Sequence, residues 1–336
     1  MESSEKHKII YEKYPIQKVG THNTLPPFNM EIDKGVHEEI HVIKHIGKEA
    51  GPLVYIGGGT HGDEINGVLA VLWIHRKLKK MKLRGNVILV PLQNPAGYRF
   101  RTRLNPYDPI DPDWVHPGDK NGSYTQRMKH ILNELASEAD CVIDLHTSSR
   151  KGSNNTMVYV PPGNKDEAEI NSLNLSLAFG GDRIIYGNKE KDYGWPVQNA
   201  MPFVAKRNGK AGIYAEAGTG GSSIPEEKFV NYFVTGVMNV LSKIGVIDSH
   251  ICKQGERKVV NPLNENSISV KSELPGILMP KVKVGDRVTT GQILATVYGI
   301  PDGEKEIVSP INGLVMYRHM FGPTSEKDNI VTISPG

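Results

Sequence analysis

The stretch PLVYIGGGTHGDEINGVLAVLWIHRKLKK, residues 52–80, decides the fold. It begins with a short apolar run that ends at Ile56, and three glycines then allow a tight turn. From about Asp63 the apolar residues recur at helical spacing, and this segment starts acidic and ends basic, as the helix dipole favours. The stretch therefore predicts a strand, a tight turn and an amphipathic helix.

Strand and helix patterns continue to alternate as far as residue 245. Short apolar runs predict strands, and apolar residues at helical spacing predict helices. The predicted strands are 36–46, 86–92, 141–146, 157–160 and 212–218, and the predicted helices are 126–139, 167–179 and 225–245, the last with Pro225 in its first turn. Continuously apolar strands between helices indicate an α/β sheet with helices on both faces, in a domain of residues 1–255.

The pattern changes near residue 250. Beyond that point the chain has short β-branched runs and many turn signals, including the hairpin-type pairs Gly285-Asp286 and Asn312-Gly313. Helical spacing is not found there. Residues 256–336 are therefore predicted to form a separate, small all-β domain.

Composition and charge argue against several classes of partner. The chain has 336 residues and a formal net charge of +3 with mixed signs, so nucleic acid is not an expected partner. No apolar run approaches the roughly 18–20 residues that span a membrane, and the charged start of the chain lacks the apolar core of a signal peptide. Only two cysteines are present, Cys141 and Cys252, which predicts a cytoplasmic protein without a disulfide framework and with Cys141 as a buried thiol.

Four polar clusters follow four of the apolar strands. They are GGTHGDE (58–64), QNPAGYRFRTR (93–103), DLH (144–146) and EAGTGG (216–221). In an open α/β sheet, ligands bind in the crevice at the carboxyl ends of the strands, so these distant residues are expected to share one site. Each cluster alone has an ordinary structural explanation, but their common placement favours a metal hydrolase.

Two histidines and a carboxylate in these clusters suit a catalytic zinc site. His61 and Glu64 are three residues apart at the turn into the predicted helix, and His146 closes another strand. Zinc in such a site keeps one position open, lowers the pKa of a water to about 7 and polarises a carbonyl. Asp144 could accept the free ring N–H of a ligand histidine. One Zn²⁺ per chain is expected.

Glu216 is the candidate general acid and base. It lies in a run of alanine and glycine, and apolar surroundings raise the pKa of a carboxyl group toward the range that suits proton exchange at neutral pH. It could take a proton from water and deliver it to a leaving nitrogen, while one arginine of RFRTR (99–103) could stabilise the developing oxyanion. The alternatives are a structural ion pair for Glu216 and a solvated loop for the arginines.

The sequence resembles the succinylglutamate desuccinylase/aspartoacylase family, a branch of the zinc carboxypeptidase-like fold, over roughly residues 45–245. The stretches that carry the resemblance occur in the family's order and are GGTHGDEINGV (58–68), NPAGYRFRTR (94–103), DLHTSS (144–149) and AEAGTGG (215–221). The fold implied is a mixed sheet. The site implied has His61, Glu64 and His146 as zinc ligands, Glu216 as acid/base, and Arg103 as the carbonyl-polarising arginine with Arg101 as its substitute.

The resemblance extends to the C-terminal region, because many family members append a small β domain. Residues 273–297 and 307–315 look like a biotinyl/lipoyl-like barrel. The modifiable lysine of true carriers, at a hairpin tip beside Met or Asp, is missing, and Lys281 and Lys283 are expected to be solvated strand residues. The predicted domain would be structural, cover the site or join the subunits of a homo-oligomer.

One stretch departs from the family pattern. The family usually has an Asn-Arg pair that grips a substrate carboxylate, and this chain has Asp113 and Trp114 instead. A bidentate arginine is therefore missing here, unless Arg99 or Arg101 replaces it. Asp113 would suit an amine or another hydrogen-bond donor, and Trp114 an aromatic or cationic group. Asp113, Trp114 and Arg101 are the predicted substrate-binding residues.

The leading prediction is a zinc-dependent amidohydrolase that deacylates a small N-acyl compound without the usual carboxylate. A carboxypeptidase-like peptidase is the second possibility, and the missing Asn-Arg pair argues against it. A non-catalytic metal-containing binding protein or a carrier is the third, and the full ligand set with Glu216 argues against that.

Overall fold

The computed structural model describes residues 22–24, 28–33, 36–148, 156–161, 166–186, 199–219, 223–255, 258–260 and 267–335. The helices of this part of the chain are α1 (Ile65–Leu78), α2 (Pro95–Phe100), α3 (Tyr124–Ala136), α4 (Glu167–Phe179), α5 (Met201–Arg207) and α6 (Glu227–Lys243). A 3₁₀ turn covers Pro112–Trp114.

Nine of the first eleven strands form one mixed sheet. The eleven are β1 (His22–Thr24), β2 (Phe28–Asp33), β3 (Val36–Ile40), β4 (Ile43–Ile46), β5 (Glu49–Gly58), β6 (Arg84–Val90), β7 (Cys141–His146), β8 (Met157–Val160), β9 (Arg183–Tyr186), β10 (Ala211–Glu216) and β11 (Lys258–Val260). The sheet order is β1-β4-β6-β5-β7-β10-β8-β9-β11, and β2 and β3 pair separately. Its central strands β6, β5, β7 and β10 are parallel, whereas β4 and β8 run antiparallel to their inner neighbours.

Helices cover both faces of this sheet, which confirms the predicted fold class. α1, α4 and α6 pack on one face, where Ile143 of β7 lies among their apolar side chains. α3 packs on the other face with the start of α5, and Val142 belongs to that layer. α1 approaches β7 so closely that a Cβ at Gly67 would lie 2.4 Å from the carbonyl oxygen of Leu145. The turn before α1 is therefore held against the end of β7.

Several predicted elements differ in detail. The predicted strand 36–46 is two strands, because β3 pairs with β2 while β4 joins the large sheet between β1 and β6. Pro225 precedes α6 rather than lying in its first turn. The short helices α2 and α5 were not predicted, since six and seven residues hold too few turns for a periodic pattern.

The C-terminal strands form two four-stranded antiparallel sheets around a small apolar core. They are β12 (Ile268–Lys271), β13 (Gly276–Pro280), β14 (Arg287–Val288), β15 (Ile293–Gly299), β16 (Glu304–Val308), β17 (Gly313–Arg318), β18 (Gly322–Thr324) and β19 (Asn329–Ser334). The sheet orders are β12-β19-β17-β14 and β16-β15-β13-β18. The predicted hairpin turns, at residues 285–286 and 312–313, instead carry the chain from one sheet to the other.

The predicted domain boundary falls between residues 255 and 256, and residues 256–257 lie outside the described part of the chain. β11, just beyond that boundary, pairs with β9 of the large sheet. Division into two domains stays a prediction.

Two predictions from composition concern the cysteines and membrane spans. Cys141 is buried, as predicted, and both it and the exposed Cys252 are free thiols. Within the described ranges, none of the helices has the length and apolar character needed to cross a bilayer. A cytoplasmic location and a homo-oligomeric state stay predictions.

Candidate metal centre and active site

The predicted site residues meet at the carboxyl ends of the central strands. His61 and Glu64 lie in the turn between β5 and α1, where the Glu64 N–H donates to the His61 carbonyl. His146 is the last residue of β7, and Glu216 is the last residue of β10. His61, Glu64 and His146 are buried, and Glu216 is half-buried. The polar clusters that follow separate strands therefore do converge.

The register of β7 and β10 brings Glu216 beside His146. The two strands are parallel neighbours, and these two residues are direct partners in the pairing. Because partners in adjacent strands point to the same face of a sheet, the carboxyl group and the imidazole are neighbours by backbone geometry alone.

Glu64 lies between the two histidines. Its Oε1 is 2.9 Å from Nδ1 of His61, and its Oε2 is 3.1 Å from Nδ1 of His146. The backbone N–H of Thr147 also donates to Oε2, at 3.0 Å. The centroids of the two imidazole rings are 5.2 Å apart. Both imidazoles thus face the buried Glu64 carboxylate with their Nδ1 atoms.

Other carboxylates face the opposite ring nitrogens. Nε2 of His61 is 3.1 Å from Asp111 Oδ1, and Nε2 of His146 is 3.2 Å from Asp144 Oδ2. Asp144 also accepts a 2.6 Å hydrogen bond from Gln93. Asp144 was predicted beside a ligand histidine. Asp111 and Gln93 were not predicted as site residues, although Gln93 begins the polar cluster 93–103 and Asp111 lies two residues before Asp113.

These donors suit a divalent metal ion. Nδ1 of His61 is buried and has no hydrogen-bonding partner, since its close approach to Glu64 lacks hydrogen-bond geometry, and Oδ1 of Asp113 is likewise unpartnered. Ligand atoms of His61, Asp113 and His146 all lie within 4.8 Å of one another, so this buried group can hold a metal. Glu64, at the shorter distances given above, is the other candidate for the third ligand.

Asp113 is buried and faces inward. Its Oδ2 accepts a 3.1 Å hydrogen bond from the Tyr214 hydroxyl and lies 3.6 Å from Nε2 of His61. Burial and the nearby carboxylates, first Asp113, raise the pKa of Tyr214 well above its usual value, so the hydroxyl stays protonated and donates. The Tyr214 ring stacks on His146 with centroids 4.0 Å apart and planes 11° apart. Tyr214 was not predicted, because it lies in an apolar strand run.

Arg103 connects two of the site carboxylates. Its Nη1 donates to Glu64 Oε1 at 3.0 Å, and its Nε and Nη2 donate to Asp111 Oδ2 at 3.2 and 3.1 Å. It therefore lies beside the candidate metal ligands. Arg101 is exposed and ends α2 with a φ of 52°, and Trp114 is half exposed. The predicted substrate-binding roles of Arg101 and Trp114 stay predictions.

The pKa values of Glu64 and Glu216 are shifted in opposite directions. Burial alone would raise the pKa of Glu64, but His61 and His146 outweigh it and hold that pKa well below the usual range. Burial and the Glu64 charge raise the pKa of Glu216, although a hydrogen bond from Ser148 opposes the shift. This direction agrees with the prediction made from the run of alanine and glycine.

One side chain of the C-terminal sheets is close to the site. Burial, followed by the charge of Glu216, raises the pKa of Tyr317 in β17. Tyr317 is thus close enough to Glu216 for the carboxylate charge to act on its pKa.

The chain belongs to the succinylglutamate desuccinylase/aspartoacylase family, because the model of that family's catalytic domain matches residues 50–244. This confirms the predicted family and, with it, the prediction of an amidohydrolase. A similar protein is the N-alpha-acetyl-L-2,4-diaminobutyric acid deacetylase of Halomonas elongata. It is 28% identical over 296 residues, which cover 84% of this chain and 82% of that protein.

Solved structures share the fold across nearly the whole chain. The product-bound ectoine utilization protein of Ruegeria pomeroyi superposes with a TM-score of 0.81 at 21% identity, covering 96% of this chain and 97% of that one. A succinylglutamate desuccinylase/aspartoacylase from Rhodobacter sphaeroides superposes with a TM-score of 0.79 at 20% identity, covering 96% and 98%. The matches include the C-terminal sheets as well as the large sheet.

Proposed function

We propose that this protein is a zinc-dependent deacylase that hydrolyses the amide bond of a small N-acyl compound. His61, Glu64 and His146 would hold the metal, and Glu216 would be the general acid and base. The observation that carries the proposal is the convergence of both histidine Nδ1 atoms on Glu64, at 2.9 and 3.1 Å, with Glu216 beside His146 in the strand register.

Glu64 is a better third ligand than Asp113 on chemical grounds. A zinc-ligating histidine usually donates its other ring N–H to a carboxylate or a carbonyl. With the metal on the Nδ1 side, Nε2 of His61 faces Asp111 and Nε2 of His146 faces Asp144. Nε2 of His61 is hydrogen-bonded to Asp111, and Nε2 of His146 lies 3.2 Å from Asp144 without hydrogen-bond geometry. A carboxylate beside each outer nitrogen favours the set with Glu64.

The residues divide the chemistry among them. A metal held here would supply a Lewis acid that acidifies water and polarises the amide carbonyl. Glu216, whose pKa is raised by burial and by Glu64, takes the proton of the attacking water and returns it to the leaving nitrogen. Arg103 is close enough to the ligands to turn a guanidinium N–H toward the developing oxyanion.

The substrate class is inferred from the family and from Asp113 and Trp114. The Halomonas elongata relative is named for an acetylated diamino acid, which supports an acylated amine as the substrate here. Asp113 and Trp114 stand where the family usually has its carboxylate-gripping Asn-Arg pair. We therefore expect weak dependence on a substrate carboxylate at that position.

Metal content and turnover test the proposal together. The wild type and His61→Ala are purified and their zinc content is measured, and both are assayed on paired N-acyl amines and N-acyl amino acids. We expect about one zinc per chain in the wild type, with metal and turnover both lost in the variant, because three protein ligands are needed for a catalytic site.

The control is His130→Ala. His130 lies on α3 with its side chain partly exposed beside Glu134, so metal and turnover should stay at the wild-type level. A wild type without bound metal, and without turnover after zinc is added, would contradict the proposed function and point to a binding protein.

A further inference from the structure

Tyr214 contacts two members of the metal centre in two different ways. Its ring stacks on the imidazole of His146, with centroids 4.0 Å apart, and its hydroxyl donates to Asp113 at 3.1 Å. It is fixed in β10 two residues before Glu216, and its partner in the β7 register is Asp144. Tyr214 therefore has a rigid backbone and is positioned to act on both neighbours.

Asp113 is a carboxylate within reach of the metal. It lies in the 3₁₀ turn that follows Asp111, and its ligand atom is within 4.8 Å of ligand atoms of His61 and His146. Its Oδ1 is buried and unpartnered, so Tyr214 supplies its side-chain hydrogen bond among the described contacts. Loss of that hydrogen bond would free the Asp113 side chain to turn, with Nε2 of His61 at 3.6 Å as its other close polar neighbour.

A fourth protein ligand would change the nature of the site. Zinc sites with four protein ligands are closed and structural, whereas catalytic sites have three and keep one position open. With His61, Glu64 and His146 as ligands, Asp113 is a further buried carboxylate whose ligand atom lies within 4.8 Å of ligand atoms of both histidines, so it could fill the open position. Another contact must therefore keep the Asp113 carboxylate from binding the metal.

We propose that Tyr214 is a positioning residue of the metal centre: its ring sets the plane of His146, and its hydroxyl holds Asp113 away from the metal. The inference rests on the proposed function and on Glu64 as the third ligand. It explains why a carboxylate can lie so close to the histidines without closing the site.

Tyr214→Phe tests the hydroxyl, because it keeps the stacked ring and removes only the donor. In full-length protein we expect metal affinity, measured by competition with a chelator, to rise as Asp113 binds. Turnover should fall by about 10- to 100-fold, the range seen when outer contacts of a metal site are removed. The visible spectrum of the Co²⁺-loaded protein should change at the same time. A general structural defect would instead lower affinity and turnover together.

Asp113→Asn provides the rescue. In that background the same Tyr214→Phe change should alter turnover by less than about threefold and leave the Co²⁺ spectrum unchanged, since coupled residues lose their coupling when one partner is removed. Tyr232→Phe is the matched control, because it removes a buried hydroxyl that donates to Gly180 far from the site. It should leave metal affinity and spectrum as in the wild type.

Three outcomes would overturn the inference. An unchanged Co²⁺ spectrum in Tyr214→Phe would mean that Asp113 is not released, and weaker metal binding in Asp113→Asn alone would mean that Asp113 is already a ligand. Either result leaves the deacylase proposal standing. A wild type that binds no metal would overturn both proposals.

Discussion

The site is assembled from two kinds of backbone, the strand ends and the connecting segment 101–118. His146 and Glu216 are the last residues of β7 and β10, and the strand register makes them neighbours. The segment 101–118 supplies Arg103, Asp111 and Asp113 from turns and a single 3₁₀ turn, and these residues are held by ion pairs and hydrogen bonds to the strand-end region.

The strand-end region and the segment 101–118 are expected to have different roles. Groups proposed to act on the metal and on the scissile bond lie at strand ends, as His146 and Glu216 do, or in the turn between β5 and α1, as His61 and Glu64 do. Groups in the segment 101–118 are held by side-chain contacts, which single substitutions can change. We therefore expect chemistry to depend on the residues of the strand ends and of the β5–α1 turn and on Arg103, which contacts Glu64, and substrate choice to depend on the rest of the segment 101–118.

Of the substitutions that test this comparison, Glu216→Gln should have the largest effect on turnover. The amide keeps the size of the side chain but cannot take the proton, so kcat should fall by about 10²- to 10⁴-fold, the usual contribution of general acid–base catalysis. Zinc content should stay at the wild-type level, because Glu216 is not a proposed ligand. Steady-state kinetics and metal analysis of the same preparation would measure both.

Glu167→Gln is the control for that variant, since Glu167 is an exposed residue in the first turn of α4. Turnover of Glu216→Gln within about threefold of the wild type would remove Glu216 from the chemistry, because even the low end of the expected effect is about 10²-fold.

Arg103→Lys tests the residue at which the two regions meet. Arg103 spans Glu64 and Asp111 through three N–H groups, and a lysine ammonium cannot reproduce that fork. We expect kcat/KM to fall by about 10- to 100-fold, as for other outer contacts of a metal site. A lysine variant with wild-type kcat/KM would show that only the positive charge matters.

His116 should make the segment 101–118 sensitive to acid. Burial, followed by the charge of Lys129, lowers the pKa of His116 to about 3. The unfolded chain takes up a proton near pH 6.5, whereas the folded state does not until about pH 3. The contribution of His116 to the free energy of unfolding is therefore at its maximum above about pH 6.5. It decreases as the pH falls, by up to about 1.4 kcal/mol per pH unit.

Urea unfolding of the wild type and His116→Asn between about pH 6.5 and pH 5 would measure that slope. The variant should show the weaker pH dependence, and the comparison cancels the titration of the remaining groups. Equal slopes would mean that the pKa of His116 is the same in the folded and unfolded states, which would contradict the prediction.

Trp114→Arg should give the smallest effect and one confined to recognition. Trp114 is half exposed next to the buried Asp113, and an arginine there would offer a bidentate partner for a carboxylate. We expect KM for N-acyl amino acids to fall by a few-fold, about 1 kcal/mol, with KM for the matched N-acyl amines unchanged. A change in kcat for both substrates would place Trp114 in the chemistry instead.

The sequence predicted the strand-end half of the site better than the segment. The strand CVIDLH and the helix at 167–179 have the predicted bounds. A short, continuously apolar run between polar residues is enough to indicate a buried strand. His61, Glu64 and Glu216 were singled out as candidates because their clusters follow such elements, and their roles stay predictions. Local patterns were enough wherever the backbone alone determines the position.

The segment 101–118 could not be predicted in the same way. Asp113 was predicted to bind substrate, and that role stays a prediction; its position between Tyr214 and His61 was not predicted. The direction of a side chain in an irregular turn depends on partners that are distant in sequence, here about a hundred residues away in the case of Tyr214. The sequence of the segment 101–118 alone therefore does not identify those partners.

The pairing of β7 with β10 also limits how the length of this chain can vary. An extra residue inside Ala211–Glu216 that is not absorbed by a β-bulge would turn the glutamate to the opposite face of the sheet. Insertions and deletions in homologues should therefore avoid this strand and collect in segments such as 101–118. A library intended to give this scaffold a new substrate should likewise vary loop length there and leave the strands untouched.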